Sequence, residues 1–415
     1  MYINNKINEY LDGYMKVWPF SGVVAVAKDG EVIFCKSYGR ANVEHNIPNT
    51  TKTVYKIASI TKQFTCAGIM LLKQRGLLSL EDSITKFFPD YPDFDERITV
   101  HHLMSHTSGL FNDFAALGKY AIIQKFLLTH KEVMDMFYKR PAEFEPGQSW
   151  SYCYFGYYLL GLIIEKVSGM SYIDFLKKNI FEPLGMKNTG VDDYFEIIPN
   201  KVSGYYATEN RLVLGDVDTV SVFSAGAIYS TIEDLLIWDK ALYDNKILSE
   251  ESKAQMFTSF KEDYGYGWIV DKYLGRKRVH HMGGGNGFNH EFHRYLDSRT
   301  TIIVLSNYGF SNSLKIADDL ARVVFKDEIP RVLRPETFNM DFKIFDEYAG
   351  IYEEDWFKLE VKRDGEKLFI VENDKCVMPV YPLSETKFHH TWIDMEFEFE
   401  KDEAGNVMLD GIKKK

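Results

Sequence analysis

Strand-like segments at two distant places in the chain constrain the fold more than any other feature of the sequence. The β-rich runs Gly22–Lys28 and Glu31–Ser37 flank Asp29-Gly30, and two such runs around Asp-Gly predict a β-hairpin. Strand-like runs return only after residue 264, and helical runs and Pro-bearing loops fill much of the stretch between. The later runs are Gly265–Val270, Val279–His281, Glu291–Leu296 and Thr301–Leu305. The early and late strands are therefore expected to share one antiparallel sheet.

Helical periodicity indicates what surrounds that sheet. Residues 3–15 carry apolar side chains at helical spacing, and a long, mostly apolar helix is predicted from about Ser59 to Arg75, ending at Gly76. Further helices are predicted at Tyr157–Val167 and at about Ser313–Phe325. The expected fold class is α+β: an antiparallel sheet flanked by helices, with an inserted, mostly helical subdomain.

The C-terminal part of the chain has a different pattern. A length of 415 residues predicts two or three domains, or one large domain with an appendage. Residues 327–345 contain Pro330 and Pro335 and little periodicity, so a linker is predicted there, and from Tyr348 onward the pattern is all β. The predicted division is a large domain at 1–326, the linker at 327–345 and a small β-meander at 346–415.

Composition excludes several classes of function. The net charge of −11 argues against nucleic acid, because phosphate binding needs a surplus of Lys and Arg. The longest apolar run, Phe155–Ile164, has about half the length that a bilayer span requires. Met1–Tyr10 lacks the basic head and apolar stretch of a signal peptide, so the sequence as it stands predicts a cytoplasmic protein, and an extracytoplasmic one if a signal has been removed. No cofactor is expected.

Ser59 and Lys62 place a hydroxyl and an amine one helical turn apart on one face of a helix. A buried lysine can have its pKa lowered enough to act as a base for a serine nucleophile. The same Ser-x-x-Lys spacing occurs at Ser83–Lys86 and Ser384–Lys387, but only Ser59 opens a long apolar helix. The alternative is that Ser59 is a plain N-cap residue.

Two further stretches add to this pattern. Tyr152 follows Glu145-Pro146-Gly147, and its hydroxyl could relay a proton if a nearby ammonium depresses its pKa; otherwise it is one more ring in an aromatic core. His281-Met282-Gly283-Gly284 ends a strand-like run, and glycine there would let a substrate approach backbone N–H groups, as an oxyanion hole requires. A flexible turn is the alternative for these glycines.

Seven stretches in a fixed order resemble the serine β-lactamase and penicillin-binding protein family, specifically its class C-like branch. Over about residues 15–325 they are Ser59–Lys62, Leu103–Leu110, Pro146–Tyr152, Leu160–Gly169, Pro183–Met186, Ala225–Leu235 and His281–Phe288. The resemblance implies a β-lactamase/transpeptidase-like fold, and the C-terminal β segment resembles the lipocalin-like appendage that some members carry, although it is short for eight strands.

The resemblance also implies roles for individual residues. Ser59 would be the acylated nucleophile, Lys62 its base, and Tyr152 the residue that protonates the leaving group and later activates water. His281 fills the position of the family's Lys in Lys-Thr-Gly, and the backbone N–H groups of Ser59 and Gly284, beside Gly283, would form the oxyanion hole. One departure concerns substrate binding, because Tyr154 stands where the family usually has the Asn of Tyr-x-Asn.

The expected function is therefore a serine hydrolase that acts through an acyl-enzyme on an ester or amide, as an esterase, D-aminopeptidase, D,D-peptidase or β-lactamase-like enzyme. The expected partner is a small-molecule or peptide substrate, and the oligomeric state stays open. The alternative is a catalytically silent penicillin-binding-protein-like ligand-binding or sensor protein. A metal hydrolase is disfavoured, because His102, His106 and the run His290–His293 form no H-E-x-x-H motif. No metal site is expected.

Overall fold

A six-stranded antiparallel sheet forms the centre of the molecule. The computed structural model describes residues 2–111, 128–192, 195–208, 211–215, 222–354, 357–372 and 376–415. In spatial order the strands are Ile269–Tyr273, Arg276–Gly285, Phe288–Tyr295, Thr300–Ser306, Gly22–Lys28 and Glu31–Tyr38. Gly22–Lys28 pairs with Thr300–Ser306 on one side and with Glu31–Tyr38 on the other. The prediction that the early and late strands share one antiparallel sheet is thus confirmed.

Both faces of this sheet are covered by helices, which explains why the strand Gly22–Lys28 is apolar and buried from Gly22 to Ala27. Val23 and Ala25 pack into a large front core, whereas Val24 and Val26 pack into a back core, because successive side chains of a strand point to opposite faces. The back core is formed with the helices Tyr2–Val17 and Ser313–Lys326. The α+β fold class is confirmed.

The front core is built on the helical region between the early and late strands. Its two long helices, Thr61–Gln74 and Tyr154–Ser168, pack against each other. The shorter helices there are Val100–Met104, His130–Phe137, Tyr172–Leu176, Glu182–Leu184, Phe223–Gly226, Ile232–Ala241 and Glu250–Met256, with a π-helical turn at Lys177–Phe181 and 3₁₀ turns at Ala58–Ile60 and Ile84–Lys86. Small ladders join Arg40–Asn42 to Ile47–Pro48, Tyr55–Lys56 and Gly190–Val191 to Ile228–Ser230, and Tyr205–Ala207 to Leu212–Leu214.

The C-terminal segment forms a separate eight-stranded antiparallel meander. Its strands are Gly350–Glu354, Phe357–Asp364, Lys367–Glu372, Cys376–Pro382, Lys387–His390, Glu396–Lys401, Val407–Leu409 and Ile412–Lys413. The meander closes on itself, since Tyr352 bridges Lys414 and the Lys415 N–H donates to the Ile351 carbonyl at 2.8 Å. Eight strands fit into this short segment because several have only two to four residues.

The meander packs against the first part of the chain rather than hanging free of it. Ile393 is buried with Ala207 and Phe310, and the ring of His389 stacks on Trp18 with the ring centres 5.0 Å apart. Residues 327–341 hold no helix or strand, and a 3₁₀ turn at Phe342–Ile344 and a helix at Phe345–Tyr348 lead into the meander. Among the residues described, no helix combines the length and the apolar character that crossing a bilayer requires.

Candidate active site

Ser59 lies in a tight turn at the front of the sheet. The turn Ala58–Ile60 is a 3₁₀ helix, so the α-helix begins at Thr61, two residues later than the sequence predicted. Ala58 has a φ of 47°, a conformation that costs a residue with a Cβ energy and that persists only when the surroundings hold it. The strand Arg276–Gly285 lies against this turn. The Ser59 side chain is thus presented by a constrained segment between a helix and a strand.

Lys62 is wholly buried one turn further along the same helix. Its Nζ lies 3.2 Å from Ser59 Oγ and 2.7 Å from the carbonyl oxygen of Ala225. Burial lowers the pKa of Lys62 to about 7, because a charged ammonium is disfavoured away from water. A substantial fraction of Lys62 is therefore a neutral amine near pH 7, able to accept a proton from Ser59.

Aromatic rings surround the Lys62 amine. Its Nζ lies 4.7 Å from the ring centre of Tyr152, 4.9 Å from that of Tyr154 and 5.3 Å from that of Tyr157. Ring faces carry negative charge density and stabilise a cation without adding a formal charge. Tyr154, which stands where the family usually has Asn, therefore contacts the catalytic lysine candidate through its ring.

The ionisation of Tyr152 differs from the sequence-based expectation. Burial raises the pKa of Tyr152 well above its usual value, Tyr264 and Tyr154 act in the same direction, and a hydrogen bond with Ser59 opposes them. The expected depression by a neighbouring ammonium is not found, because desolvation of the phenolate dominates. Tyr152 is thus a protonated phenol near pH 7 and suits the role of a proton donor.

His281 faces the same site from the sheet. Its Nδ1 lies 2.6 Å from the Met282 carbonyl oxygen, and its Nε2 lies 2.9 Å from the Tyr264 hydroxyl. Burial lowers the pKa of His281 to about 3, and the nearby Lys62 adds to the effect. His281 is therefore a neutral imidazole whose ring centre lies 6.2 Å from that of Tyr152.

The two glycines after Met282 meet different surroundings. A Cβ at Gly283 would lie 2.3 Å from the Ile57 carbonyl oxygen, so only glycine lets the strand approach the Ser59 turn this closely. A Cβ at Gly284 would have the Phe288 carbonyl at 3.8 Å as its nearest neighbour. The strand Ile269–Tyr273 pairs with Arg276–His280, so residues 281–285 extend beyond it beside Ser59.

The structure adds four residues that the sequence analysis did not assign to the site. Ala225 supplies the carbonyl that accepts from Lys62, and it lies in a stretch that carried the family resemblance. The His106 ring contacts the Tyr152 ring at a tilt, with the ring centres 4.4 Å apart, and its Nδ1 accepts the Cys153 N–H at 2.9 Å. Tyr157 and Tyr264 complete the ring cluster around it. No local sequence signal distinguishes Tyr264 from the chain's other tyrosines.

The other two Ser-x-x-Lys stretches serve as turns. Ser83 Oγ accepts the Thr85 N–H, and Ser384 Oγ accepts the N–H groups of Thr386 and Lys387. The helical context of Ser59 thus separates it from both.

Comparison with known proteins agrees with this geometry. Residues 7–325 match the Beta-lactamase family. The chain is 30% identical to penicillin-binding protein 4* of Bacillus subtilis (strain 168), covering 92% of this chain and 90% of that protein. It is 26% identical to a D-aminopeptidase of Gluconobacter oxydans (strain 621H), covering 72% of this chain but only 58% of that protein.

Solved structures give the same result. The octameric penicillin-binding protein homologue from Pyrococcus abyssi superposes with a TM-score of 0.70 at 28% identity, covering 98% of this chain and 97% of that one. The D-amino acid amidase from Ochrobactrum anthropi SV3, complexed with D-phenylalanine, gives a TM-score of 0.68 at 25% identity and covers 79% of this chain and all of that one. The resemblance found in the sequence is confirmed, and the chain belongs to the Beta-lactamase family.

Proposed function

We propose that this chain is a serine hydrolase that cleaves an ester or an amide through an acyl-enzyme on Ser59. The observation that carries the proposal is the wholly buried Lys62, with its Nζ 3.2 Å from Ser59 Oγ and its pKa lowered to about 7. A base within hydrogen-bond reach of the hydroxyl it activates is what nucleophilic catalysis requires. We assign the reaction to a catalytic domain at residues 1–326, with 327–345 as a linker and 346–415 as an appended domain.

The proposed reaction has two halves. In the first, Lys62 takes the Ser59 proton while Oγ bonds to the substrate carbonyl carbon; the leaving group then departs with a proton from Tyr152, which Lys62 replaces. In the second, water passes a proton to the Tyr152 hydroxyl, which gives its own proton to neutral Lys62, while the water oxygen bonds to the acyl carbon; the bond from the acyl carbon to Ser59 Oγ then breaks, and Oγ takes that proton from Lys62. The backbone N–H groups of Ser59 and Gly284 are assigned to the oxyanion, and losing one such donor typically costs about 10²–10³ in rate.

The substitution at Tyr154 bears on the silent-binder alternative. The Tyr154 ring lies against the Lys62 amine, while that amine keeps its contacts with Ser59 and the Ala225 carbonyl. The departure from Asn therefore changes the wall of the cleft and leaves the nucleophile and its base together. This supports an enzyme over a silent binder.

The neutral His281 favours one group of substrates. Both of its ring nitrogens are occupied by neighbouring oxygen atoms, and the side chain is buried, so it offers no positive charge to a substrate carboxylate. We infer that substrates without a carboxylate on the leaving side, such as amino-acid amides and simple esters, are preferred over D,D-peptides and β-lactams. Relatives named D-aminopeptidase and D-amino acid amidase support the same class.

A labelling experiment tests the nucleophile. Mass spectrometry after incubation with a p-nitrophenyl ester or a fluorescent penicillin is expected to find one adduct, on the peptide that contains Ser59. The chain supplies a matched control, because Ser83-Ile84-Thr85-Lys86 repeats the four residues that begin at Ser59. Ser59→Ala is expected to abolish labelling and turnover, and Ser83→Ala to leave both intact. An adduct outside the Ser59 peptide contradicts the assignment.

A substrate panel tests the preferred class. The panel comprises p-nitrophenyl esters, D- and L-amino-acid p-nitroanilides, D-Ala-D-Ala peptides and a chromogenic cephalosporin. The expected result is a higher kcat/KM for esters and amino-acid anilides than for the two substrates that carry a carboxylate. A preference for the cephalosporin or the D-Ala-D-Ala peptide would show that the role given to His281 is wrong, even if Ser59 is acylated.

A further inference from the structure

A second cluster of ionisable side chains lies on the opposite face of the same sheet. His280, Glu291 and His293 each offer one ligand atom, and these atoms all lie within 4.8 Å of one another. His280 pairs with His293 across neighbouring strands, and Glu291 lies two residues from His293, so strand alternation brings all three to one face. His281 faces the other side. The cluster is thus separate from the candidate active site.

Of the two histidines in this cluster, His280 makes no well-formed hydrogen bond within the described residues. Both ring nitrogens of His280 are buried, and neither meets hydrogen-bond geometry with any residue in the described part of the chain. Its Nδ1 lies 4.0 Å from Glu291 Oε2, and that oxygen lies 3.0 Å from His293 Nε2. Ligand atoms of a tetrahedral zinc ion are about 3.3 Å apart. The widest separation among the three ligand atoms is up to 4.8 Å, so shifts of up to about 1.5 Å, shared between the side chains, would place these atoms around one ion.

Carboxylates lie near the outer ring nitrogens of both histidines, and Arg278 Nη1 also lies 3.5 Å from His293 Nδ1. A metal-binding histidine usually donates its second ring N–H to a carboxylate or another acceptor, which fixes its orientation. His280 Nε2 faces Asp271 Oδ2 at 3.4 Å, and His293 Nδ1 faces Asp318 Oδ1 at 3.8 Å. Arg278 holds both carboxylates, with Nε 2.8 Å from Asp271 Oδ1 and Nη1 2.8 Å from Asp318 Oδ1.

With neutral imidazoles, as metal ligation requires, the side chains of this region carry more negative than positive charge. Asp271, Glu291 and Asp318 bring three negative charges, and Arg278 brings one positive charge to the same network. Glu291 is only 3% exposed, so its charge is largely removed from water. Excess buried charge is costly unless a counter-charge accompanies it. One divalent cation would supply the two positive charges that are missing.

We propose that His280, Glu291 and His293 bind one Zn²⁺ ion, which clips the strand Arg276–Gly285 to the strand Phe288–Tyr295. Two imidazoles and one carboxylate suit Zn²⁺, whereas Mg²⁺ and Ca²⁺ prefer oxygen ligands throughout. Because its ligands face away from Ser59, we assign the ion a role in holding the strands together, with water at the fourth position of the tetrahedron. It would steady the strand that carries His281 on the other face and that continues to Gly284. The sequence analysis expected no metal site.

The experiment uses the full chain after removal of metal with a chelator. Calorimetric titration with Zn²⁺ and elemental analysis of the reloaded protein are expected to give one ion per chain. Glu291→Gln and His293→Gln are expected to lose this ion, whereas His45→Gln, which changes an exposed histidine outside the cluster, keeps it. Zn²⁺ is expected to raise the Tm of the wild type by a few degrees and to leave that of Glu291→Gln unchanged.

Other results would overturn the proposal. If the metal-free wild type takes up neither Zn²⁺ nor Co²⁺, or if Glu291→Gln binds as much as the wild type, the cluster is a network of ion pairs only. Where a variant fails to fold, the visible spectrum of Co²⁺ on the wild type decides: tetrahedral absorption supports the site, and the spectrum of aqueous Co²⁺ contradicts it. Ser59→Ala must bind Zn²⁺ like the wild type, so this test is independent of the proposed hydrolase.

Discussion

His280 and His281 are neighbours on one strand, and both are buried, yet they have opposite ionisation behaviour. Burial lowers the pKa of His281 to about 3, and Lys62 on the front face adds to the effect. Burial acts in the same direction on His280, but the carboxylates of Asp271 and Glu291 on the back face outweigh it and raise the pKa. The identity of the facing groups, rather than the depth of burial, thus decides which form of an imidazole is stable.

The front and back faces of the sheet differ in charge in the same way as these two histidines. The front face collects groups that are neutral or close to it near pH 7: His281, Tyr152 and the partly deprotonated Lys62. The back face collects full charges around Arg278. The absence of full charges near Lys62 in the described residues preserves the neutral, basic form of its amine. On the back face, the ion pairs of Arg278 with Asp271 and Asp318 link two strands and a helix. Substitutions on each face would show whether the two faces are independent of each other.

The largest effect is expected at Lys62. Replacing it by methionine removes the base and is expected to reduce kcat/KM by about 10³–10⁴-fold. The same change removes a buried amine whose charged form is disfavoured away from water, so the free energy of unfolding is expected to rise. Steady-state kinetics and urea unfolding measure the two quantities. Lys86→Met, in the repeated tetrapeptide, is the control and should alter neither; a destabilised Lys62→Met would contradict our account of the front face.

On the back face, Arg278→Met is expected to reduce stability and to spare catalysis. It leaves the carboxylates of Asp271 and Asp318 without their cation, which for a buried pair costs about 3–5 kcal/mol. Arg276→Met is a matched control on the same strand, because its pair with Asp297 is exposed and is worth at most about 1 kcal/mol. If Arg278→Met lowers the kcat of the folded protein while leaving its free energy of unfolding unchanged, the two faces are coupled.

Tyr152→Phe tests the role of the hydroxyl group separately from that of the aromatic ring. The ring contact with Lys62 is kept, so the fold is expected to be unchanged, whereas the proton donor is lost. We expect kcat for an amide substrate to fall by about 10²-fold. A smaller loss is expected for p-nitrophenyl esters, whose leaving group needs no proton. Equal rates for Tyr152→Phe and the wild type on both substrates would remove Tyr152 from the mechanism.

The pH profile is the next test. Because Lys62 must be neutral to accept a proton, kcat/KM is expected to rise about tenfold per pH unit and to level off near pH 7. Lys62 also makes stability depend on pH. Between about pH 7 and 10 its amine is protonated in the unfolded chain but mostly neutral in the folded one. The free energy of unfolding is therefore expected to rise with pH through that window. A profile measured with an uncharged ester that shows no break near pH 7 would argue against Lys62 as the base.

The smallest effect is expected at Tyr154. Tyr154→Asn restores the family's usual amide group, which can donate to a substrate carbonyl and accept from its N–H. One such hydrogen bond is worth about 1 kcal/mol, so acylation by an amide or a cephalosporin is expected to rise by about twofold to tenfold. Acylation rates followed by stopped flow provide the measurement. An unchanged rate would mean that Tyr154 serves only as packing beside Lys62.

Much of this arrangement could be predicted from the sequence because its signals are local. Runs of β-forming residues and the turn residues between them predicted the strands of the sheet. The spacing of Ser59 and Lys62 in an apolar helix predicted the nucleophile and the base. Contacts between distant segments could not be predicted in this way. The bond between Tyr264 and His281 depends on tertiary packing, with no motif to indicate it.

Strand register explains a second group of features that sequence reasoning missed. The sequence analysis considered His290 together with His293, whereas pairing of the strands brings His293 and Glu291 to His280. His290 instead bonds to the Lys56 carbonyl and the Ser306 N–H. The C-terminal segment likewise looked short for eight strands until the pairing showed how few residues several of them use.

The contrast between Gly283 and Gly284 has a consequence for laboratory evolution of this enzyme. A methyl group at 283 would collide with the Ile57 carbonyl and displace the Ser59 turn, so a saturation library at that position should return glycine alone among active clones. Position 284 has open space and, by strand alternation, points its side chain away from Ser59, so its library should return many residue types. Sequencing the active clones would thus show only glycine codons at position 283 and codons for many residue types at position 284.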